Sequence, residues 1–85
     1  GKCVSHTILL PNGTRSTIGV IFPSSLTFNT QAAEVMEILA GHCRVKLQGA
    51  SDWIDYKEDQ KFAVPANSSF EIETTDTLHY VCHFE

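Results

Sequence analysis

Residues 31–48 read Gln31-Ala32-Ala33-Glu34-Val35-Met36-Glu37-Ile38-Leu39-Ala40-Gly41-His42-Cys43-Arg44-Val45-Lys46-Leu47-Gln48. After Gly41 the stretch alternates without a break. Cys43, Val45 and Leu47 fall on one side and His42, Arg44, Lys46 and Gln48 on the other, the period-2 pattern of a half-buried strand. The part before Gly41 reads two ways. Ala, Glu, Met, Ile and Leu followed by glycine suit a short helix with a glycine just past its end. The same residues also place Glu34, Met36, Ile38 and Ala40 on one face of a strand. Composition does not choose between the two. The flanking sequence favours the strand, because short alternating segments separated by turn residues recur on both sides, the spacing of a closed all-β architecture.

Working outward, residues 2–10 are rich in β-branched and aliphatic side chains and end at Pro11-Asn12-Gly13, a turn signal. Residues 16–22 place Ile18, Val20 and Phe22 on one face and stop at Pro23-Ser24-Ser25. Residues 26–30 form a short strand. Gly49-Ala50-Ser51 turns the chain into a segment over residues 53–56. Phe62 and Val64 precede Pro65-Ala66-Asn67-Ser68, and Phe70, Ile72 and Thr74 then alternate with Glu71 and Glu73. In the last segment, residues 78–84, Leu78, Tyr80, Cys82 and Phe84 make an apolar face with His79 and His83 opposite. No repeat, low-complexity run or linker interrupts the series, so residues 1–85 are expected to form a single domain.

Eighty-five residues leave room for one hydrophobic core. A hydrophobic fraction of 42% with 19% charged residues is that of a globular chain rather than a disordered one. No apolar run approaches the ~18 residues of a membrane helix, and no basic-then-apolar leader pattern opens the chain. A net charge of −4 argues against nucleic acid as a partner, since phosphate backbones call for clustered Lys and Arg. Three cysteines without a C-x-x-C are expected to be reduced thiols, which suits the cytoplasm. His6, His42, His79 and His83 do not form a three- or four-ligand set, so no metal is expected. A chain this short buries a modest share of its surface, and a homodimer would supplement it.

Nucleotide-loop, dinucleotide-fold, nucleophile-elbow and zincin motifs are all missing. One spacing is informative: Glu34, six residues, Gly41, and later Asp59, five residues, Pro65, one residue, Asn67, two residues, Phe70. This outline resembles the two motifs of the cupin barrel. Phe28, Thr30 and Phe70 stand where that superfamily has metal-binding histidines, and Asp59 and Asn67 stand where it has glycines. The barrel implied is metal-free. A longer resemblance runs from Arg15 to Cys82. It is carried by Arg15 with Gly19-Val20, Thr27-Phe28 with Thr30, Glu34 with Met36, Gly41, Asp52-Trp53 with Tyr56, Phe62 with Val64-Pro65, Ser68 with Phe70, and Tyr80 with Cys82. In these residues the chain resembles the pyrimidine/purine nucleoside phosphorylases, very small single-domain cupins. The resemblance implies an all-β, single-domain cupin-type jelly-roll barrel, with Glu34, Met36 and Ile38 pointing inward from a strand.

It also implies an activity: phosphorolysis of purine and pyrimidine nucleosides to free base and (deoxy)ribose 1-phosphate. Inorganic phosphate is then the co-substrate and no cofactor is needed. The transition state of such a transfer is oxocarbenium-like, and catalysis can be mostly positioning and electrostatics. Arg15 offers forked donors for phosphate. Glu34, a carboxylate turned into a barrel without a metal, calls for donors that ribose hydroxyls would supply. Tyr80 is the third catalytic candidate. Thr27, Thr30, Met36, Phe62 and Ser68 are the candidate substrate-binding residues, the hydroxyls as donors and Phe62 as a surface for the base; core packing is the competing role for Phe62, Tyr80 and Met36. Two other readings compete: a non-catalytic cupin that binds a small molecule, and an interaction module whose barrel is filled with side chains.

Overall fold

The computed structural model describes residues 2–84, and every regular element in them is a strand. In chain order these are β1 (Cys3–Leu9), β2 (Arg15–Ile21), β3 (Ser24–Asn29), β4 (Glu34–Ala40), β5 (His42–Leu47), β6 (Ile54–Lys57), β7 (Lys61–Val64), β8 (Ser69–Thr74) and β9 (Leu78–Phe84). They form a five-stranded sheet ordered β1-β2-β9-β4-β7 and a four-stranded sheet ordered β3-β8-β5-β6, with antiparallel pairing throughout. The chain passes from one sheet to the other between β2 and β3, β3 and β4, β4 and β5, β6 and β7, β7 and β8, and β8 and β9. This is the connectivity of a jelly roll, in which two sheets enclose one core. No helix in the described residues is long and apolar enough to cross a membrane.

The ambiguous segment is a strand. β4 pairs on one side with β9, from Glu34 opposite Phe84 to Ile38 opposite Tyr80, and on the other with β7. Tertiary pairing on both edges overrides a helix propensity worth only tenths of a kcal/mol per residue. Met36 and Ile38 are buried and Glu34 half-buried, as the inward row requires. Ala40 does not continue that row. A one-residue register shift after Ile38 sets Ala40 opposite His79, leaving Leu39 as the extra, exposed residue of a bulge. Gly41 then turns the chain at φ +97°, a left-handed conformation that glycine adopts freely.

The core holds Ile21, Met36, Ile38, Cys43, Val45, Phe62, Val64, Phe70, Ile72, Leu78, Tyr80 and Cys82. Cys43 and Val45 of β5 face in as their alternation predicts, and so do Leu78, Tyr80 and Cys82 of β9, with His79 and His83 outside. In β2 the residues Ile18 and Val20 do share a face, and it is the outer one, while Phe22 lies just past the strand and is exposed. Antiparallel register puts Thr17, Gly19 and Ile21 opposite Cys82, Tyr80 and Leu78, so the inner row of β2 is the odd-numbered one. Asp59 (φ +71°) and Asn67 (φ +54°) are the two non-glycine residues with positive φ among the described residues. They are the two positions where the cupin outline has glycine, and Asp and Asn are the side chains that tolerate this conformation best. Cys3, Cys43 and Cys82 are all free thiols.

Candidate active site

Between the sheets lies an open cavity of about 230 Å3. The five-stranded sheet supplies most of its wall: Ser5 from β1, Thr17 from β2, Glu34 and Met36 from β4, and Tyr80, Cys82 and Phe84 from β9. Phe28, Asn29 and Phe70 close it from the other sheet, where the Phe28 and Phe70 rings lie 5.5 Å apart. Arg15 sits at the rim. It continues the inward row of β2 beyond Thr17, and its guanidinium lies 4.8 Å from the ring centroid of Phe84, which lines the cavity. The arrangement is a hydrocarbon floor, a carboxyl and a phenol on one wall, and a cation at the mouth.

Burial governs the titration of these groups. Desolvation raises the Glu34 carboxyl above its usual range, and the neighbouring Cys82 thiol, as a donor, opposes the rise. The same burial, reinforced by the Glu34 carboxylate, pushes the Cys82 thiol up to about 12, so it is not a thiolate nucleophile at neutral pH. Burial, followed by its contact with Cys3, pushes Tyr80 well above the ordinary tyrosine value. Its hydroxyl lies 3.6 Å from Cys3 Sγ. Tyr80 is therefore a neutral hydroxyl that can donate a hydrogen bond, and not a base.

The family model for pyrimidine/purine nucleoside phosphorylase matches residues 1–84. The chain belongs to that family. A pyrimidine/purine nucleoside phosphorylase of Cupriavidus taiwanensis is 68% identical over 100% of this chain and 81% of its own length, and one of Methylobacillus flagellatus is 66% identical over 100% and 82%. Among solved structures, a protein of unknown function from Acinetobacter sp. ADP1 superposes with a TM-score of 0.98 at 47% identity, over 100% of this chain and 83% of that one. A cupin superfamily protein from Desulfitobacterium hafniense matches with a TM-score of 0.79 over 96% and 75%; at 13% identity it speaks for the fold alone.

Of the residues singled out in this phosphorylase-family sequence, the structure brings Glu34, Met36 and Tyr80 together in the cavity wall and sets Arg15 at its rim. Four others lie elsewhere. Thr27 faces outward from β3, exposed in one row with Glu71 and Lys46, because strand alternation sends it away from Phe28. Thr30 is buried just past β3. Its Oγ1 donates to the Pro65 carbonyl at 2.7 Å and accepts from Ser68 N–H at 2.9 Å, so the hydroxyl is spent on fastening the 65–68 turn. Ser68 belongs to that turn, its hydroxyl 3.2 Å from Gln48 Oε1. Phe62 packs in the core, with ring centroids 4.8 Å from Tyr56 and 5.7 Å from Phe70.

Ser5, Thr17, Phe28, Asn29, Phe70, Cys82 and Phe84 join the wall without having been singled out as candidates. A signal existed for four of them. Phe28 and Phe70 occupy two of the three cupin histidine positions and line the cavity, whereas Thr30, at the third, is tied to Pro65 and Ser68. Cys82 and Phe84 alternate with Tyr80. Ser5, Thr17 and Asn29 carried none, because which face of β1, β2 or β3 turns inward follows from the strands they pair with. Among the described residues no three His, Cys, Asp or Glu side chains converge as metal ligands would; Phe28 and Phe70, at cupin histidine positions, line the cavity with Glu34.

Proposed function

We propose that this protein is a nucleoside phosphorylase that cleaves purine and pyrimidine nucleosides with inorganic phosphate as co-substrate and no cofactor. The observation that carries the reading is the cavity itself, where Glu34 and Tyr80 share a wall and Arg15 stands at the mouth. A barrel filled with side chains, as an interaction module would have, does not fit this interior. In the reaction a phosphate oxygen forms a bond to C1′ of the ribose. The glycosidic C–N bond breaks with its electron pair passing to the base nitrogen, which takes up a proton. Positive charge builds on the sugar in the transition state, and the Glu34 carboxylate, accepting hydrogen bonds from the ribose hydroxyls, stabilises that charge. The Arg15 fork holds phosphate at the rim. Tyr80 donates to a substrate oxygen. The aromatic floor of Phe28 and Phe70 offers no polar group that would distinguish one base from another, which suits a broad nucleoside range.

The test is phosphorolysis of uridine, cytidine, thymidine, adenosine, inosine and guanosine, with base and ribose 1-phosphate followed by chromatography with and without phosphate. Phosphate-dependent release that collapses in Arg15→Ala and Glu34→Ala supports both the reaction and the site. Release that survives both variants retains the reaction and discards the site. No release from a folded chain moves a non-catalytic binding role to first place. The same reading includes a homodimer, supported by the exposure of Val4 (61%) and Phe22 (41%), and tested by sedimentation. A cytoplasmic location is supported by the three free thiols.

A further inference from the structure

We infer that Gly19 is a positioning residue for this site: it forms the notch in β2 that lays the Tyr80 ring along the sheet, which keeps the cavity open and places the hydroxyl. The consequence for substrate rests on the nucleoside phosphorylase reading; the notch itself does not.

Gly19 and Tyr80 are directly opposite each other in the β2–β9 register and share the inward face. A Cβ built on Gly19 would come within 2.7 Å of Tyr80 Cε1, 2.5 Å of Cζ, and closer still to the hydroxyl. The approach involves the far half of the ring. Tyr80 is thus draped across β2 rather than standing up between the sheets, and its hydroxyl reaches the β1 side, 3.6 Å from Cys3 Sγ. The backbone of Gly19 is not in the left-handed region, unlike Gly13, Gly41 and Gly49, so its conformation is open to any residue. What glycine contributes here is the missing Cβ. The neighbours in the same inward row, Thr17 and Ile21, both carry side chains, which makes position 19 a gap one residue wide.

An inward-facing aromatic residue ordinarily fills the space between two sheets. With alanine at position 19 the ring must leave its seat. The other rotamers open to a strand tyrosine stand roughly perpendicular to the sheet, which points the ring into the cavity. A phenol ring standing in about 230 Å3 leaves little room for a nucleoside. Position 19 would thereby gate access to the site without touching the substrate.

The experiment is a double-mutant cycle of Gly19→Ala, Tyr80→Leu and the pair, read by melting temperature and by calorimetric binding of inosine without phosphate. Gly19→Ala is expected to melt about 5–15 °C below the parent chain and to bind inosine at least about tenfold more weakly. Tyr80→Leu removes the ring, so the pair should melt within about 2 °C of Tyr80→Leu alone and bind inosine within about threefold of it. The pair is expected to fold even if Gly19→Ala does not. Gly19→Ala melting and binding like the parent overturns the inference, and so does a Gly19→Ala cost that persists in the Tyr80→Leu background or a pair that fails to fold. Rescue of melting with inosine binding untouched throughout overturns the positioning role. If the parent chain binds no nucleoside, the substrate reading fails while the melting cycle still decides the notch.

Discussion

Replacing Gly41 by alanine tests how tightly the two sheets are joined. Gly41 ends β4, which carries Glu34 and Met36, and leads directly into β5 of the other sheet. Two costs add at this position. With φ at +97°, an L-residue is strained by about 1–2 kcal/mol. The new Cβ would also lie 2.7 Å from the Thr77 carbonyl oxygen and 3.3 Å from Leu78 Cα, both backbone atoms in or beside the turn into β9. Backbone cannot yield as a side chain can, and such overpacking costs a further ~1–3 kcal/mol. The sum is about 2–5 kcal/mol, and in a domain of this size each kcal/mol moves the melting temperature by about 4–8 °C. Gly41→Ala should therefore melt at least about 8 °C below the parent. Gly49→Ala separates the two costs, since Gly49 has φ +83° and nothing within 4 Å of the added Cβ. It should carry the first cost alone, about 1–2 kcal/mol. The assay is thermal unfolding of both variants by circular dichroism. Equal melting temperatures for Gly41→Ala and Gly49→Ala would refute the reasoning, because they would show that the turn at Thr77 moves aside freely.

Arg15→Ala is expected to lower kcat/KM by about 10- to 100-fold, the worth of a charge-assisted contact, and chiefly by raising KM for phosphate; an unchanged phosphate KM would remove Arg15 from the site. Phe84→Leu takes away the ring beneath the guanidinium and should cost about 2- to 5-fold in the same constant. Glu34 tests the link between site and stability. Its folded-state pKa is raised, so between the unfolded value near 4.5 and the folded value the native state holds more protons, and stability falls as pH rises through that window. Glu34→Gln should flatten that slope and melt higher than the parent at pH 7 while losing most activity; a lower melting temperature at pH 7 would contradict the desolvation account. Thr30→Val leaves Ser68 N–H without its acceptor and should destabilise the fold by about 1–3 kcal/mol in denaturant unfolding, with KM for inosine unchanged because the hydroxyl lies outside the cavity.

The alternation of β5 and β9 was legible in the sequence, and it placed Cys43, Val45, Leu78, Tyr80 and Cys82 inside without knowledge of any partner strand. The turn residues were legible too. Asp59 and Asn67 could be aligned with glycine positions, and the backbone there is left-handed. With the family register added, Glu34 and Met36 followed as inward residues of one wall. Other features depend on contacts between residues far apart in the chain. A period of two says which residues share a face but not which face is the inner one; for β2 that was decided by its register with β9, which sends Ile18 and Val20 outward and Thr17 and Gly19 toward the cavity. The choice of strand over helix for β4 came from hydrogen bonding to β7 and β9 on its two edges. Thr27 and Thr30 both bear hydroxyls, and local sequence treats them alike. One is turned to solvent by the pleat, while the other is tied to Pro65 and Ser68, which pack beside it from more than thirty residues away. Sequence by itself determined the strands on either side of β4 and the chemistry available to the cavity. Tertiary structure decided which of those side chains meet, because facing and pairing are properties of two strands together.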